Sequence, residues 1–340
     1  MSQPTILSTS PGKVILPVYH TITDIPEHEL HILDPRSPEE LRARIADADF
    51  VLGDWTGEMR LDRAALQSAR RCRLIVQPTA GYDSIDVEAA RELGIPVVNT
   101  PGANSRGVAE WAVMAMLLLV KNALVNHERT RRGEWWMAEA AAEGVYDLSS
   151  RTVGILGMGR TGRGVARRLH AFGVQRILYH HRSAISAELA AALPLERVSH
   201  VDELCARSDV LTLHVPLTGD TRHLIDRRRL RLLGPDGVLV NTARGAIVDE
   251  DALHTALSAR EIKAAALDVF SEEPLTGPHR WAGLDNVFLS PHLAGSTVES
   301  TQAMVSGALA SLGEALRGDL PDAVVNGVGA LRTPAPAPSL

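Results

Sequence analysis

Two cysteines, Cys72 and Cys205, stand far apart and share no paired spacing with histidine, so the sequence offers neither a disulfide framework nor a zinc motif. A reducing, cytoplasmic setting is expected. Long hydrophobic runs are also lacking. The longest, Trp111 to Val120, is too short to span a bilayer and reads as a buried helix, and the first residues show no charged stretch leading into an apolar one. No excess of basic residues is present: 35 Lys and Arg stand against 41 Asp and Glu, a net charge of -6. Nothing therefore draws the chain to nucleic acid or to an anionic membrane, and any substrate must be attracted by a local site.

What is present is an ordinary globular composition, 45% hydrophobic and 22% charged, in a chain of 340 residues, long enough for two domains. Apolar strand-like runs alternate with helical patterns, the mark of an α/β protein whose parallel sheets carry helices on both faces. Strands are expected at Val14–Val18, Phe50–Leu52, Leu74–Val76 and Pro96–Val98, with helices at Pro38–Ala46, Leu61–Ala69 and Val87–Leu93, the last capped by Asp86. A long apolar helix, Val108 to Arg131, follows. A second series then runs through strands at Val153–Leu156, Arg176–Tyr179, Val210–His214, Val238–Asn241 and Ala264–Asp268. Residues 331–340, rich in Pro and Ala, are expected to be a disordered tail.

Within the second series, the segment from Thr152 to Leu169 reads strand, glycine turn, helix. Gly157 permits the turn, Gly159 lets backbone approach a pyrophosphate, and Gly162 lets helix pack on strand, while the helix start at Arg160 and Thr161 offers N–H groups to an anion. About twenty residues on, where a carboxylate would hold a ribose 2′-hydroxyl, the chain has His180, His181 and Arg182 instead. His181 and Arg182 suit a 2′-phosphate, so NADP(H) is favoured over NAD(H). No metal site is expected.

Reduction of a 2-keto acid needs a cation for the carboxylate, a proton donor for the developing alkoxide and a group that keeps the donor protonated. Three segments offer these in order: Asn241-Thr242-Ala243-Arg244-Gly245, Leu267-Asp268 through Glu273-Pro274, and Pro291-His292-Leu293-Ala294-Gly295. Together with the glycine turn they resemble the D-isomer-specific 2-hydroxyacid dehydrogenases, over about residues 50 to 327. The resemblance implies that Arg244 binds the substrate carboxylate and carbonyl oxygen, and that His292 is the general acid or base. Glu273 would stabilise its imidazolium, and Asp268 would hold the nicotinamide carboxamide. Pro216, Thr242 and Ala243 complete the implied cofactor contacts. Gln77 to Asp86 resembles the family's substrate loop, whose backbone N–H groups at Thr79, Ala80 and Gly81 would grip the carboxylate; the family usually has glycine where this chain has Thr79.

The resemblance further implies two doubly wound domains. A flavodoxin-like substrate domain would comprise residues 1–105 and 298–330, and a Rossmann cofactor domain residues 106–297, with a hinge between them and a homodimer built on the long helix. The implied activity is hydride transfer between NAD(P)H and a 2-keto or D-2-hydroxy acid, in the manner of a glyoxylate/hydroxypyruvate reductase. Phosphite or phosphoglycerate oxidation on the same scaffold, and a cofactor-sensing binding protein or corepressor, are the rival readings. Tyr19, His20, Trp55 and Met59 either line a side-chain pocket or pack a core.

Overall fold

The computed structural model describes residues 3–333. Within them the chain divides at Asn104/Ser105 and at Ser296/Thr297 into two compact units, the first assembled from the segments on either side of the second.

The first unit is built on strands β1 (Thr5–Ser8), β2 (Glu29–Ile32), β3 (Phe50–Leu52), β4 (Leu74–Val76) and β5 (Val97–Val98), all parallel, in the order β2-β1-β3-β4-β5. That is the flavodoxin-like order of a doubly wound sheet. Strand alternation sends Leu7, Val51 and Ile75 into one core layer, and Ile6, Phe50, Leu52, Leu74 and Val76 into another. The second layer is closed by Val305, Leu309 and Leu312 of the helix Val298–Arg317, which Thr297 caps at one end and left-handed Gly318 at the other. Ser37, Asp62 and Asp86 cap three further helices through their side-chain oxygens.

Seven parallel strands make the second sheet: β6 (Thr152–Leu156), β7 (Arg176–His180), β8 (Leu195–Arg197), β9 (Val210–Leu213), β10 (Val238–Asn241), β11 (Ala264–Leu267) and β12 (Val287–Leu289). Their order, β12-β11-β10-β9-β6-β7-β8, is that of a Rossmann fold with one added edge strand. The chain winds outward from β6 to β8 and then returns to β9, so the direction reverses between β6 and β9, where open α/β sheets bind ligands.

The structure revises several expectations. Val14–Val18 is not a strand but part of the helix Gly12–Tyr19, which packs on Val298–Arg317, and Thr5–Ser8 supplies the strand instead. The long helix is two: Ser105–Val120 and Ala123–Arg131 meet at a 60° bend where Asn122 takes φ 48. No single helix among the described residues is long and apolar enough to cross a membrane. Arg332 is not in a loose tail, since its N–H donates to Arg73 O at 3.1 Å and its guanidinium to Ala69 O at 2.8 Å. Residues 334–340 of the expected tail lie outside the described residues. Met59 is core, 8% exposed, and Tyr19 packs against the second core layer, its hydroxyl paired with His28 Nε2 at 2.9 Å. His20 is exposed and Trp55 half-buried.

Candidate active site

Parallel strands deliver the loops that follow them to one edge of the sheet. In the second unit that edge carries the glycine turn after β6, His181 and Arg182 after β7, Pro216 after β9, Thr242 to Arg244 after β10, Asp268 and Glu273 after β11, and His292 after β12. Thr79, Ala80 and Gly81 follow β4 in the first unit.

The glycine turn leaves no room for a side chain at Gly157 or Gly162. A Cβ on Gly157, whose φ is 98, would stand 2.5 Å from His214 O, and one on Gly162 would stand 2.1 Å from Gly157 O, while beside Gly159 the space is open. Helix Arg160–Ala171 begins there with no side chain capping it. The Thr242 hydroxyl is buried without a partner among the described residues. A narrow glycine cradle, an uncapped helix start and an unused hydroxyl together fit the pyrophosphate of a dinucleotide.

Beyond β7 the surroundings are cationic. Met158 N–H donates to His181 Nδ1 at 3.3 Å, so that nitrogen is an acceptor, and burial followed by Arg163, Arg182, His180 and Arg197 lowers the pKa of His181. Arg197 reaches from the neighbouring strand to donate to the carbonyls of His181 and Arg182 at 3.1 and 3.3 Å. Sequence reasoning missed Arg163 and Arg197, because only the fold brings residues this far apart in the chain to one corner.

At the other end of the edge, three strands in a row present the charged groups. Arg244 is half-buried; its Nη1 donates to Ala243 O at 2.6 Å, and Asn241 braces the turn by donating to Arg244 O at 3.0 Å and accepting from Ala243 N–H at 3.0 Å. Glu273 Oε2 lies 2.7 Å from His292 Nδ1, and Glu273 Oε1 accepts from Phe270 N–H at 2.8 Å. Burial alone would raise the Glu273 carboxyl, but the bond and charge of His292, the Phe270 N–H and the charge of Arg244 outweigh it and hold the pKa below its ordinary value. Arg244, Glu273 and His292 are thus brought together. No described residue bonds His292 Nε2.

His292 takes φ 55, a left-handed conformation that side-chain-bearing residues adopt at a cost. Asp268 holds it there. Its backbone carbonyl accepts from His292 N–H at 2.8 Å, and its buried carboxylate accepts from the Ser290 hydroxyl, from Leu293 N–H at 2.8 Å and from Ala294 N–H at 2.9 Å. Burial raises the Asp268 pKa in spite of these donors. Besides the cofactor contact that the resemblance implies for it, Asp268 anchors the histidine loop, a role visible only once β11 and β12 lie side by side.

Residues 113–294 match the family model of the NAD-binding domain of D-isomer-specific 2-hydroxyacid dehydrogenases. The chain belongs to that family, and its cofactor class is a nicotinamide dinucleotide. Over 88% of its length it is 39% identical to a glyoxylate reductase of Aeropyrum pernix, 90% of which is covered. It is 40% identical over the same share to a D-3-phosphoglycerate dehydrogenase of Methanocaldococcus jannaschii, but spans only 55% of that protein's length. Among solved structures it resembles an NADPH-dependent glyoxylate/hydroxypyruvate reductase from Sinorhizobium meliloti, in complex with NADP and malonate, with a TM-score of 0.81 and 29% identity over 98% of this chain and all of that one.

Proposed function

We propose that this protein reduces a small 2-keto acid, of the glyoxylate or hydroxypyruvate class, to the D-2-hydroxy acid at the expense of a nicotinamide cofactor. The observation that carries the reading is the 2.7 Å pair of Glu273 and His292, with the charge of Arg244 bearing on the same carboxylate. When bound, the dihydronicotinamide supplies the hydride. Arg244 holds the substrate carboxylate and polarises its carbonyl oxygen, giving the developing alkoxide a fixed positive charge. His292 delivers the proton from Nε2, and Glu273, already ionised, stabilises the imidazolium that must be present beforehand. In oxidation the same groups act in reverse.

We favour NADP(H) over NAD(H), on the grounds that β7 ends in His181 and Arg182 with Arg163 and Arg197 nearby, an arrangement that rewards a 2′-phosphate. The first unit would serve the substrate and the second the cofactor, with Asp268 reaching the carboxamide as well as anchoring its loop. A homodimer is supported by exposed apolar side chains clustered between residues 114 and 145, including Trp135 at 84% and Met137 at 69%. Burial keeps both cysteines protonated, their pKa values pushed up to about 12, which suits a reducing cytoplasm.

The test is steady-state oxidation of NADPH and NADH with glyoxylate, hydroxypyruvate, phosphohydroxypyruvate and aryl-pyruvates, followed by the nicotinamide absorbance. Turnover of glyoxylate or hydroxypyruvate, faster with NADPH, is expected. Preference for phosphohydroxypyruvate would favour the alternative that the Methanocaldococcus relative suggests; binding of cofactor with no turnover of any of them would favour a sensor.

A further inference from the structure

We propose that Gln77 and Thr79 are positioning residues whose side chains preset the loop from Thr79 to Tyr82 as a nest of peptide N–H groups for a carboxylate. The proposal rests on the keto-acid reading above and adds to it the device that shapes the loop.

Three consecutive carbonyls in this loop are taken up inside the first unit, each by a different donor. Thr79 O accepts from Thr100 N–H at 3.3 Å, Ala80 O from Asn99 Nδ2 at 2.7 Å, and Gly81 O from the Thr79 hydroxyl at 2.6 Å. In a trans peptide the C=O and the following N–H point in opposite directions. Fixing those carbonyls therefore turns the N–H groups of Ala80, Gly81 and Tyr82 away from them. None of the three finds an acceptor among the described residues. Successive N–H groups left open in a turn can gather into a concavity for an anion, and a carboxylate is the anion proposed for this one.

The direction of the Thr79 hydroxyl is not left to chance. Gln77 is 1% exposed, and its Nε2 donates both to Thr79 Oγ1 at 2.7 Å and to Asp54 O at 2.9 Å. An amide nitrogen only donates, so Thr79 Oγ1 must accept from it and send its own hydrogen on to Gly81 O. This orientation has a cost: Gln77 Oε1 is buried with no partner. That oxygen occupies the place a Cβ on residue 53 would take, 2.1 Å away, and Gly53 gives it room. An orphaned acceptor in a buried amide calls for a reason. Here the reason is the relay through Thr79, which a glycine at position 79, usual in the family, has no hydroxyl to make.

The experiment compares Thr79→Val, which removes the hydroxyl at nearly constant shape, with Thr79→Ser, which keeps it. Glyoxylate KM, kcat, NADPH KM and melting temperature are measured, together with calorimetric binding of oxalate to the enzyme–NADPH complex. Thr79→Val is expected to raise both the glyoxylate KM and the oxalate Kd about tenfold, with little change in kcat or NADPH KM, and Thr79→Ser to recover most of that loss. Should Thr79→Val fail to fold, Thr79→Ala against Thr79→Ser gives the same contrast. Wild-type oxalate affinity in the hydroxyl-free variant, or an equal loss in Thr79→Ser, overturns the proposal. If the wild-type enzyme turns over no keto acid, the functional reading fails by itself, and the oxalate arm still decides the role of the loop.

Discussion

The histidine loop after β12 and the loop after β4 are built on opposite plans. In the first, the carboxylate of Asp268 takes up the N–H groups of Leu293 and Ala294, so what the loop has left to offer is a side chain, His292. In the second, the carbonyls of Thr79, Ala80 and Gly81 are taken up, and the backbone N–H groups are what is left. Whichever half of the peptide group is satisfied internally decides whether a loop meets its ligand with side-chain charge or with backbone donors. Proton transfer needs the former, since a peptide N–H is too weak an acid to give up its proton; recognition of a carboxylate is well served by the latter.

The largest effect expected on the side-chain plan comes from Arg244→Ala. On the role proposed for its guanidinium, in carboxylate binding and charge stabilisation, kcat/KM should fall about 10⁴-fold while the cofactor Kd changes little. Near-normal kcat/KM would break the assignment. Next comes the scaffold of the same loop. Asp268→Ala leaves the Leu293 and Ala294 N–H groups and the Ser290 hydroxyl without their acceptor, and should cost about 2–4 kcal/mol in urea unfolding, with turnover falling as His292 loses its place. An unchanged midpoint would show that the loop holds itself.

Legibility in the sequence followed burial. Strands β6, β9, β10 and β11 are covered on both faces and were visible as apolar runs, as was the glycine turn that follows β6. The edge strands β2 and β8 are half-exposed, carry no such run, and were missed; β12, apolar but only three residues long, and the short buried β1 were missed as well. The run Val14–Val18 misled because a short apolar stretch fits a strand or a buried helix equally well, and the choice was made by the packing face that Val298–Arg317 supplies. At the site, Arg244, Glu273 and His292 were legible because each sits in a local motif. The contacts that hold the loops were not: Asp268 with Ala294, Gln77 with Asp54 and Arg197 with His181 join separate strands, and no local pattern announces them.

Arg182 lies outside both loops, just after β7. Arg182→Ala should lower kcat/KM with NADPH about tenfold and leave NADH nearly unaffected, as measured with glyoxylate at saturating concentration. An equal loss with both cofactors would place Arg182 in a general structural role. The smallest effect expected is the acid response of Glu273→Gln. Because the folded carboxyl titrates below its ordinary 4.5, its contribution to stability is present above that pH and lost as pH falls through the lower folded value. The gap in urea midpoint between wild type and variant should therefore be open at neutral pH and close in acid; a gap that widens in acid would reverse the sign of the His292 interaction.

Arg244, Glu273 and His292 are proposed to direct hydride and proton to one face of a 2-keto acid. Chiral analysis of the glycerate formed from hydroxypyruvate and NADPH tests it most directly. D-glycerate alone is the result predicted. L-glycerate, a racemate, or no reduction of any keto acid offered would contradict it.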